Sequence, residues 1–316
     1  MATLLVIGGT GFFGKSILDS YKNSLLDCWE IDKVIIMSRH ARDFKKNHPK
    51  LVSKGVEIFV GDISTINFLP EADFVIHAAA STDSSKYMLH SEKEKNNVIA
   101  GTINYCRLAP KFHLKSRIVY CSSGAVYGYQ PSSIKFLKES QVLGEISKLD
   151  DVKKSYALAK RDSEIAIQEL AKQNLNVSIA RCFSFVGKYL PKDQHFAIGN
   201  FIANGINGQE INVKSDRLVS RSYMYADDLV MWLLTIADNS KPTCPIYNVA
   251  SDNEIEIREL ADIISQIFKV NIKTANIGSN TFEDRYIPSI EKAKKELGLI
   301  NNYGIKESIL RSIRRL

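Results

Sequence analysis

Short apolar runs alternate with helix-period stretches over the first two thirds of the chain. Leu4–Ile7, Val34–Met37, Val56–Val60, Phe74–His77, Arg117–Cys121 and Val177–Ala180 are rich in β-branched residues and nearly continuous in their apolar character. That is the pattern of parallel strands buried on both faces, not of half-exposed ones. Between them, Lys15–Tyr21, Val98–Leu108 and Tyr156–Lys172 carry apolar residues at helical spacing. Repeated strand–helix–strand units with right-handed crossovers predict an α/β fold built on a doubly wound parallel sheet. After about Phe183 the pattern breaks into loops punctuated by Gly, Asn and Pro. A helix over Asp228–Ala237, a short strand Ile246–Val249 and helices over Ile257–Phe268, Ser289–Leu297 and Ile305–Arg314 complete the chain. The break predicts a first domain over 1–182 and a smaller C-terminal lobe over 183–316. The two are partly interleaved, with 225–250 returning to the first domain and a cleft facing the carboxyl ends of the strands.

Composition narrows the class. The 316 residues are 45% hydrophobic and 24% charged, enough apolar material for a large core, which excludes disorder and low complexity. Spanning a bilayer takes about 18 or more consecutive apolar residues. The longest candidate, Leu229–Ala237, is far shorter, so no membrane association is expected. Met1 leads directly toward Leu4-Leu5-Val6-Ile7 without a basic segment ahead of it, so a cytoplasmic location is expected rather than secretion. Five scattered cysteines with no Cys-x-x-Cys or Cys/His spacing point to reduced thiols and no metal site. Lys and Arg number 42 against 35 acids, a net charge of +7 spread along the chain apart from Lys45-Lys46 and Arg311–Arg315. No nucleic-acid motif accompanies it, so no nucleic-acid partner is expected. The balance suits an anionic small molecule and a merely solvated basic surface alike.

The first candidate site is Gly8-Gly9-Thr10-Gly11-Phe12-Phe13-Gly14, directly after the first strand and opening a helix. Gly8 permits a tight turn, Gly11 lets a pyrophosphate approach the backbone, and Gly14 allows close helix–strand packing. The free N–H groups and helix dipole then hold phosphates. Strand end and helix both fit dinucleotide binding.

With its Gly-x-x-Gly-x-x-Gly spacing, the chain resembles the extended short-chain dehydrogenase/reductase superfamily, in its sugar-nucleotide epimerase/dehydratase/reductase branch. Matching pieces run from Leu4 to about Gly298. The resemblance implies a Rossmann-type dinucleotide-binding domain followed by a substrate-binding lobe. It implies cofactor contacts from Thr10, Phe12 and Phe13 in the loop, from Asp62 and Ile63 after the third strand, and from His77, Ala78 and Ala79 after the fourth. Asn97, ahead of Gly101-Thr102-Ile103-Asn104, belongs to the helix supporting the active site. At the end of the second strand, where an acid would bind the ribose hydroxyls, stand Met37-Ser38-Arg39-His40. Asp32 lies at the opposite end, as a cap or turn residue before the strand. Ser38 and Arg39 favour the extra phosphate of NADP(H), with NAD(H) as the alternative and an exposed loop arginine as the bland reading of Arg39.

Tyr156-Ala157-Leu158-Ala159-Lys160 sets Tyr and Lys on one helix face. An ammonium beside a phenol stabilises phenolate and eases proton exchange with a substrate hydroxyl, while a surface pair is the bland alternative. Upstream, Tyr120-Cys121-Ser122-Ser123-Gly124-Ala125-Val126-Tyr127-Gly128 ends the fifth strand. By resemblance Ser123, Tyr156 and Lys160 are catalytic, Ser122 is a substrate contact beside Ser123, and Tyr156 and Lys160 also line the cofactor. Related 4,6-dehydratases carry an Asp-Glu pair just after the catalytic hydroxyl, and decarboxylating relatives a Glu in the same region. Here those positions are Gly124 and Ala125. What remains is reduction of a 4-keto-6-deoxy sugar nucleotide with NADPH, or 4-epimerisation on tightly bound NAD. A non-catalytic dinucleotide-binding scaffold is a third class, disfavoured because both Tyr and Lys are present. In the later lobe His195 and Asn200 are candidate sugar contacts, His195 also reading as a structural loop histidine. Arg221, in Arg221-Ser222-Tyr223-Met224-Tyr225-Ala226-Asp227-Asp228, and Arg285, ahead of Pro288, match diphosphate-binding arginines. Either could instead pair with Asp227, Asp228 or Asp284. The resemblance also implies a homodimer through Val98–Leu108 and Tyr156–Lys172.

Overall fold

A computed structural model describes residues 1–80, 84–192, 196–278 and 283–314. Its first half runs β1 (Ala2–Ile7), α1 (Phe12–Lys22), β2 (Ile31–Ser38), α2 (Ala41–Asn47), β3 (Val56–Val60), β4 (Phe74–His77), α3 (Ser84–Phe112), β5 (Arg117–Ser123), α4 (Asp151–Ala171) and β6 (Asn176–Cys182). Then follow β7 (Phe185–Val186), α5 (Ala197–Ile206), β8 (Ile211–Val213), β9 (Val219–Ser222), β10 (Met224–Tyr225), α6 (Ala226–Asp238) and β11 (Ile246–Val249). The chain ends with β12 (Glu254–Glu256), α7 (Ile257–Phe268), β13 (Ile272–Thr274), β14 (Asp284–Tyr286), α8 (Glu291–Leu297) and α9 (Ile305–Arg314).

The main sheet has seven strands in the order β11-β6-β5-β4-β1-β2-β3, all parallel. Alternation along the inner strands explains why they read as unbroken apolar runs, both faces being buried, whereas β3, read as buried from its sequence, lies at the sheet edge with Glu57 and Val60 exposed. Leu4, Val6, Ile36, Ile76 and Val119 pack with Ile17 and Leu18 of α1 and Trp232 and Leu233 of α6. Leu5, Ile35, Val75, Ile118 and Val177 face the other way, onto Tyr105 and Leu108 of α3 and Ile167 and Leu170 of α4. The strand order reverses between β1 and β4, and ligands of such sheets bind in the crevice outside the strand ends at that reversal. A third cluster, with Phe201, Ile202, Ile211, Leu260, Ile264 and Ile309, forms the core of the later elements. The short sheet β12-β9-β14 brings Arg221 and Arg285 onto adjacent strands.

Several boundaries differ from the sequence reading. Because Ala2 pairs with Ile31, β2 begins earlier than Val34, and Asp32 lies within the strand, not before it as a cap or turn. Its carbonyl accepts a 2.5 Å hydrogen bond from the Tyr21 phenol, and it remains at the end opposite Ser38. α4 starts at Asp151 because Asp150 caps it, accepting the Lys153 N–H at 2.9 Å. α8 starts at Glu291, after Ser289, because the Ser289 backbone serves tertiary contacts: its N–H donates to Leu137 O and its carbonyl accepts from Asn248. α3 is far longer than Val98–Leu108 and is kinked at His90, where φ is −147°.

Candidate active site

The turn after β1 is built for close approach. Gly8 has φ +87°, a region that costs other residues strain, and a Cβ there would lie 2.7 Å from Ala79 Cα. At Gly14 a Cβ would fall on the Gly9 backbone, so α1 packs on the turn only with glycine. A Cβ at Gly11 would meet nothing nearer than Gly8 O at 3.6 Å, leaving that side open to a ligand. No side chain caps α1, so the first N–H groups of the helix, at Phe12, Phe13 and Gly14, have no intrahelical partner. These are the donors an anionic pyrophosphate requires, and the loop fits the dinucleotide that the motif implies. Ala78 and Ala79 form the wall facing Gly8.

At the end of β2 the Ser38 hydroxyl lies 3.0 Å from the Thr10 hydroxyl and accepts the His40 N–H at 3.2 Å. Arg39 is 62% exposed in its side chain and stands 3.6 Å from the Asp62 carboxylate. Burial works to raise the Asp62 pKa, but hydrogen bonds from the Ser64 N–H and hydroxyl, with Arg39 beside them, hold it below its ordinary value. Asp62 is thus an ionised turn former as well as a candidate adenosine contact. Ile63 packs against the sheet core, and Asn97 lies exposed on α3. His77 is 1% exposed, its ring between Tyr105 at 4.9 Å and Tyr120 at 5.3 Å, with no hydrogen-bond partner on either nitrogen. Burial, helped by Lys160, lowers its pKa to about 3, so it is a neutral wall behind the site.

Ser123 ends β5, and Tyr156 and Lys160 come from the second and third turns of α4. The Ser123 Oγ accepts the Ala125 N–H at 3.1 Å, and Ser123 lies near enough to the Tyr156 phenol to favour its ionised form. Lys160, 2% exposed, donates to Cys121 O at 2.8 Å and to the Tyr120 phenol at 3.4 Å. Two of its three donors are therefore satisfied by protein, and its Nζ lies 6.0 Å from the centre of the Tyr156 ring. Burial is the largest influence on Lys160 and acts downward, yet the facing Tyr120 and Tyr156 phenols outweigh it and keep the ammonium charged. Tyr156 departs from the simple Tyr–Lys argument. Its burial raises the pKa by more than Lys160 and the nearby Ser123 hydroxyl lower it, so the phenol holds its proton at neutral pH.

Ser122 and Ser123 are split by strand alternation. Ser122 is buried and donates at 2.6 Å to Glu164, which pairs with Arg181 at 2.8 and 3.0 Å. The Arg181 guanidinium also lies 4.8 Å from the Tyr127 ring, and the Tyr127 phenol donates to Asn248. This buried network joins β5, α4, β6 and β11, and nothing in the motifs announced it. Arg221 contacts the Asp284 carboxylate at 3.1 Å and the carbonyls of Ser220 and Asp284 at 2.9 and 2.8 Å. Arg285 pairs with Glu254 and Glu283 and donates to Lys135 O, carboxylates other than those named as its alternative partners. The structure therefore brings Ser123, Tyr156 and Lys160 together and leaves Ser122, Arg221 and Arg285 in protein contacts, Arg221 on Asp284, one of the alternative partners named for it. Asn200 lies half-buried on α5. His195 lies outside the described residues.

The sequence reading missed Tyr286. Its ring stacks 4.6 Å from Phe183, its phenol oxygen fills the space over Gly124, and it sits opposite Arg221 in the β9–β14 register. The only available signal was its place beside Arg285, since neighbours on a strand point to opposite sides. No helix among the described residues is long and apolar enough to cross a membrane.

A family model described as the NAD dependent epimerase/dehydratase family matches residues 4–250. The chain is 26% identical over 310 residues to UDP-glucuronic acid decarboxylase 6 of Arabidopsis thaliana, covering 97% of this chain and 86% of the relative. It is 24% identical over 348 residues to UDP-glucose 4-epimerase GEPI42 of Cyamopsis tetragonoloba, covering 96% and 92%. Its fold resembles that of the dTDP-glucose 4,6-dehydratase DesIV of Streptomyces venezuelae with NAD and TYD bound, at TM-score 0.81 and 22% identity over 99% of this chain and 96% of the other. The match to a UDP-glucose 4-epimerase of Thermotoga maritima has TM-score 0.79 and 17% identity over 99% and 97%. A sequence match reaching from the first strand of the sheet to the end of its last makes this chain a member of the NAD dependent epimerase/dehydratase family.

Proposed function

We propose that the protein is an enzyme acting on a nucleotide-activated sugar, and that it reduces a 4-keto-6-deoxy sugar nucleotide with NADPH. The observation that carries this reading is the surroundings of Ser123: hydroxyls and an ammonium converge there, while Gly124 and Ala125 bring no carboxylate for elimination or decarboxylation. The cofactor, when bound, supplies hydride to the carbonyl carbon. Tyr156 gives its proton to the developing alkoxide, and Ser123 donates a hydrogen bond to the same oxygen. Lys160 holds positive charge behind Tyr156 and has one donor left for a ribose hydroxyl. A phenol that keeps its proton at neutral pH suits proton donation, the direction reduction needs. Gly8, Gly11 and Gly14, with Thr10, Phe12 and Phe13, would cradle the pyrophosphate. Asp62, Ile63, His77, Ala78, Ala79 and Asn97 are assigned to the remaining walls of the cofactor site, and Asn200 to the sugar. The same reading includes a homodimer through α3 and α4, on whose outer faces Ile103 and Ile165 stand exposed.

Epimerisation on tightly held NAD is the second reading. It is favoured by the contact of Arg39 with Asp62, which partly neutralises the guanidinium meant for a 2′-phosphate. The deciding assay follows absorbance of the reduced cofactor with a panel of 4-keto sugar nucleotides. Oxidation of NADPH coupled to sugar reduction supports the first reading. Interconversion of two sugar nucleotides without net cofactor consumption selects the second, and carbon dioxide release from a UDP-hexuronic acid would sink both.

Two substitutions probe the binding assignments. Arg39→Ala is expected to weaken NADPH by about 1.5–3 kcal/mol, the range for a hydrogen bond involving a charged group, and NADH far less. Isothermal titration with both cofactors checks this, and equal losses would remove Arg39 from the 2′-phosphate. Arg221→Ala is expected to raise the Michaelis constant for the sugar nucleotide and leave cofactor affinity unchanged, since a guanidinium near Tyr286 serves the substrate's diphosphate. Weakened cofactor with unaltered sugar affinity would place its role elsewhere.

A further inference from the structure

Ser123 caps a short 3₁₀ turn over Gly124–Tyr127, its Oγ accepting the Ala125 N–H at 3.1 Å. That bond takes one lone pair and leaves the hydroxyl proton for a reacting oxygen. Where the proton can point therefore depends on how the turn sits against α4, which carries Tyr156 and Lys160. A turn this short leaves its last carbonyls without partners inside it. Ala125 O accepts from the Gly128 N–H at 3.1 Å, and Tyr127 O from the Gly144 N–H at 3.0 Å. Val126 O, between them, accepts from Arg161 Nε at 2.8 Å.

Arg161 directly follows Lys160 on α4 and is half-buried. A terminal nitrogen of its guanidinium donates to Gly144 O at 2.6 Å, on the segment that leads into α4. One planar fork thus ties the turn after Ser123 and the approach to α4 onto the helix turn that bears the ammonium. A guanidinium can span both carbonyls because its donors are coplanar and fixed, whereas an ammonium is a single point charge. On the other side of Ser123, Ser122 donates at 2.6 Å to Glu164, three residues beyond Arg161 on the same helix face. Ser123 is bracketed by two attachments to α4, one at the residue before it and one at the third residue after it.

We infer that Arg161 is a positioning residue of the active site: by holding Val126 O and Gly144 O it fixes the Ser123 turn against α4 and aims the Ser123 hydroxyl at the oxygen served by Tyr156. The inference deepens the proposed function and rests on its assignment of Ser123. It does not depend on the direction of the reaction, because the same sugar oxygen gains or loses the proton in reduction and epimerisation alike.

Two measurements test it. The first is amide hydrogen exchange on the ligand-free protein, which needs no substrate. Arg161→Met keeps the stem and removes both donors. The Ala125 and Gly128 amides are expected to exchange roughly 10- to 100-fold faster, the local opening that a lost charge-assisted hydrogen bond allows, with the β1 and β2 amides unchanged. The second is turnover, in whichever of the two sugar-nucleotide reactions the protein catalyses. Arg161→Met is expected to lower kcat by roughly 10- to 100-fold and to leave KM for the sugar nucleotide and cofactor affinity near wild type. Arg161→Lys, able to reach one carbonyl, should fall between, and it keeps the test available should Arg161→Met fail to fold. Because Arg161 acts through Ser123, the double variant Ser123→Ala/Arg161→Met should be hardly slower than Ser123→Ala alone. A merely structural clamp would instead add its loss to that of Ser123→Ala. Additive losses, unchanged exchange at Ala125 or wild-type kcat in folded Arg161→Met would each overturn the inference. A slow Ser123→Ala beside a fast Arg161→Met removes this inference alone, whereas Ser123→Ala at the wild-type rate takes Ser123 out of the chemistry and removes both.

Discussion

Tyr156→Phe is expected to lower turnover by roughly 10²–10⁴-fold, the usual worth of a positioned acid or base, while sugar nucleotide and cofactor still bind. The substitution preserves the ring beside Lys160 and deletes the phenolic hydroxyl with its proton. Lys160 keeps its bonds to Cys121 O and Tyr120, so the ammonium is not displaced. The wild-type pH profile carries a second expectation with a definite sign. As a proton donor Tyr156 works in its protonated form, so reduction should persist through neutral pH and decline as pH rises through the Tyr156 pKa. Burial raises that pKa against the opposing pull of Lys160 and Ser123, which sets the decline on the alkaline side. Stopped-flow measurement of the hydride step across pH, in wild type and Tyr156→Phe, checks both. A variant with wild-type turnover would remove Tyr156 from the chemistry.

The largest loss of stability is expected at Glu164. Its carboxylate accepts the Ser122 hydroxyl at 2.6 Å and the Nε and one terminal nitrogen of Arg181, whose own exposure is 4%. Glu164→Ala would leave a guanidinium buried against the Tyr127 ring without a counter-charge, and removing one member of a buried pair typically costs about 3–5 kcal/mol. The effect reaches function because Glu164 lies one helical turn beyond Lys160 on α4 and ties that helix to β5, the strand that ends in Ser123. Urea denaturation is expected to show the lower midpoint with an unchanged slope. A loss below about 1 kcal/mol would be that of a solvent-screened surface pair and would mean that water reaches Arg181.

The two predictions draw on different amounts of legibility. The glycine turn after β1 was readable because its information is local: a strand end, three glycines and a helix start lie within one short run. Tyr156 and Lys160 were readable for the same reason, since a separation of four residues on a helix sets them on one face. The sheet followed from apolar runs long enough to be buried on both faces. In each case a fixed backbone period converts sequence spacing into spatial position, so no distant partner has to be known.

Tertiary structure decided what those periods do not reach. Ser122 and Ser123 are adjacent and chemically identical, yet one donates to Glu164 and the other accepts the Ala125 N–H, because strand alternation sends them to opposite sides and only the packed helix tells the two sides apart. Arg285 was readable as a phosphate ligand or as the partner of an aspartate, and the fold sets Glu254 of β12 against it. Asp32 was read as a cap until pairing with β1 drew it into the strand. Tyr286 and Phe183 lie apart in sequence, and nothing in the spacing of either connects it to Gly124. Their meeting depends on chain closure between the sheet and the β12-β9-β14 strands, and the identity of a side chain across such a closure is set by volume and hydrogen-bond complementarity, which no periodicity records.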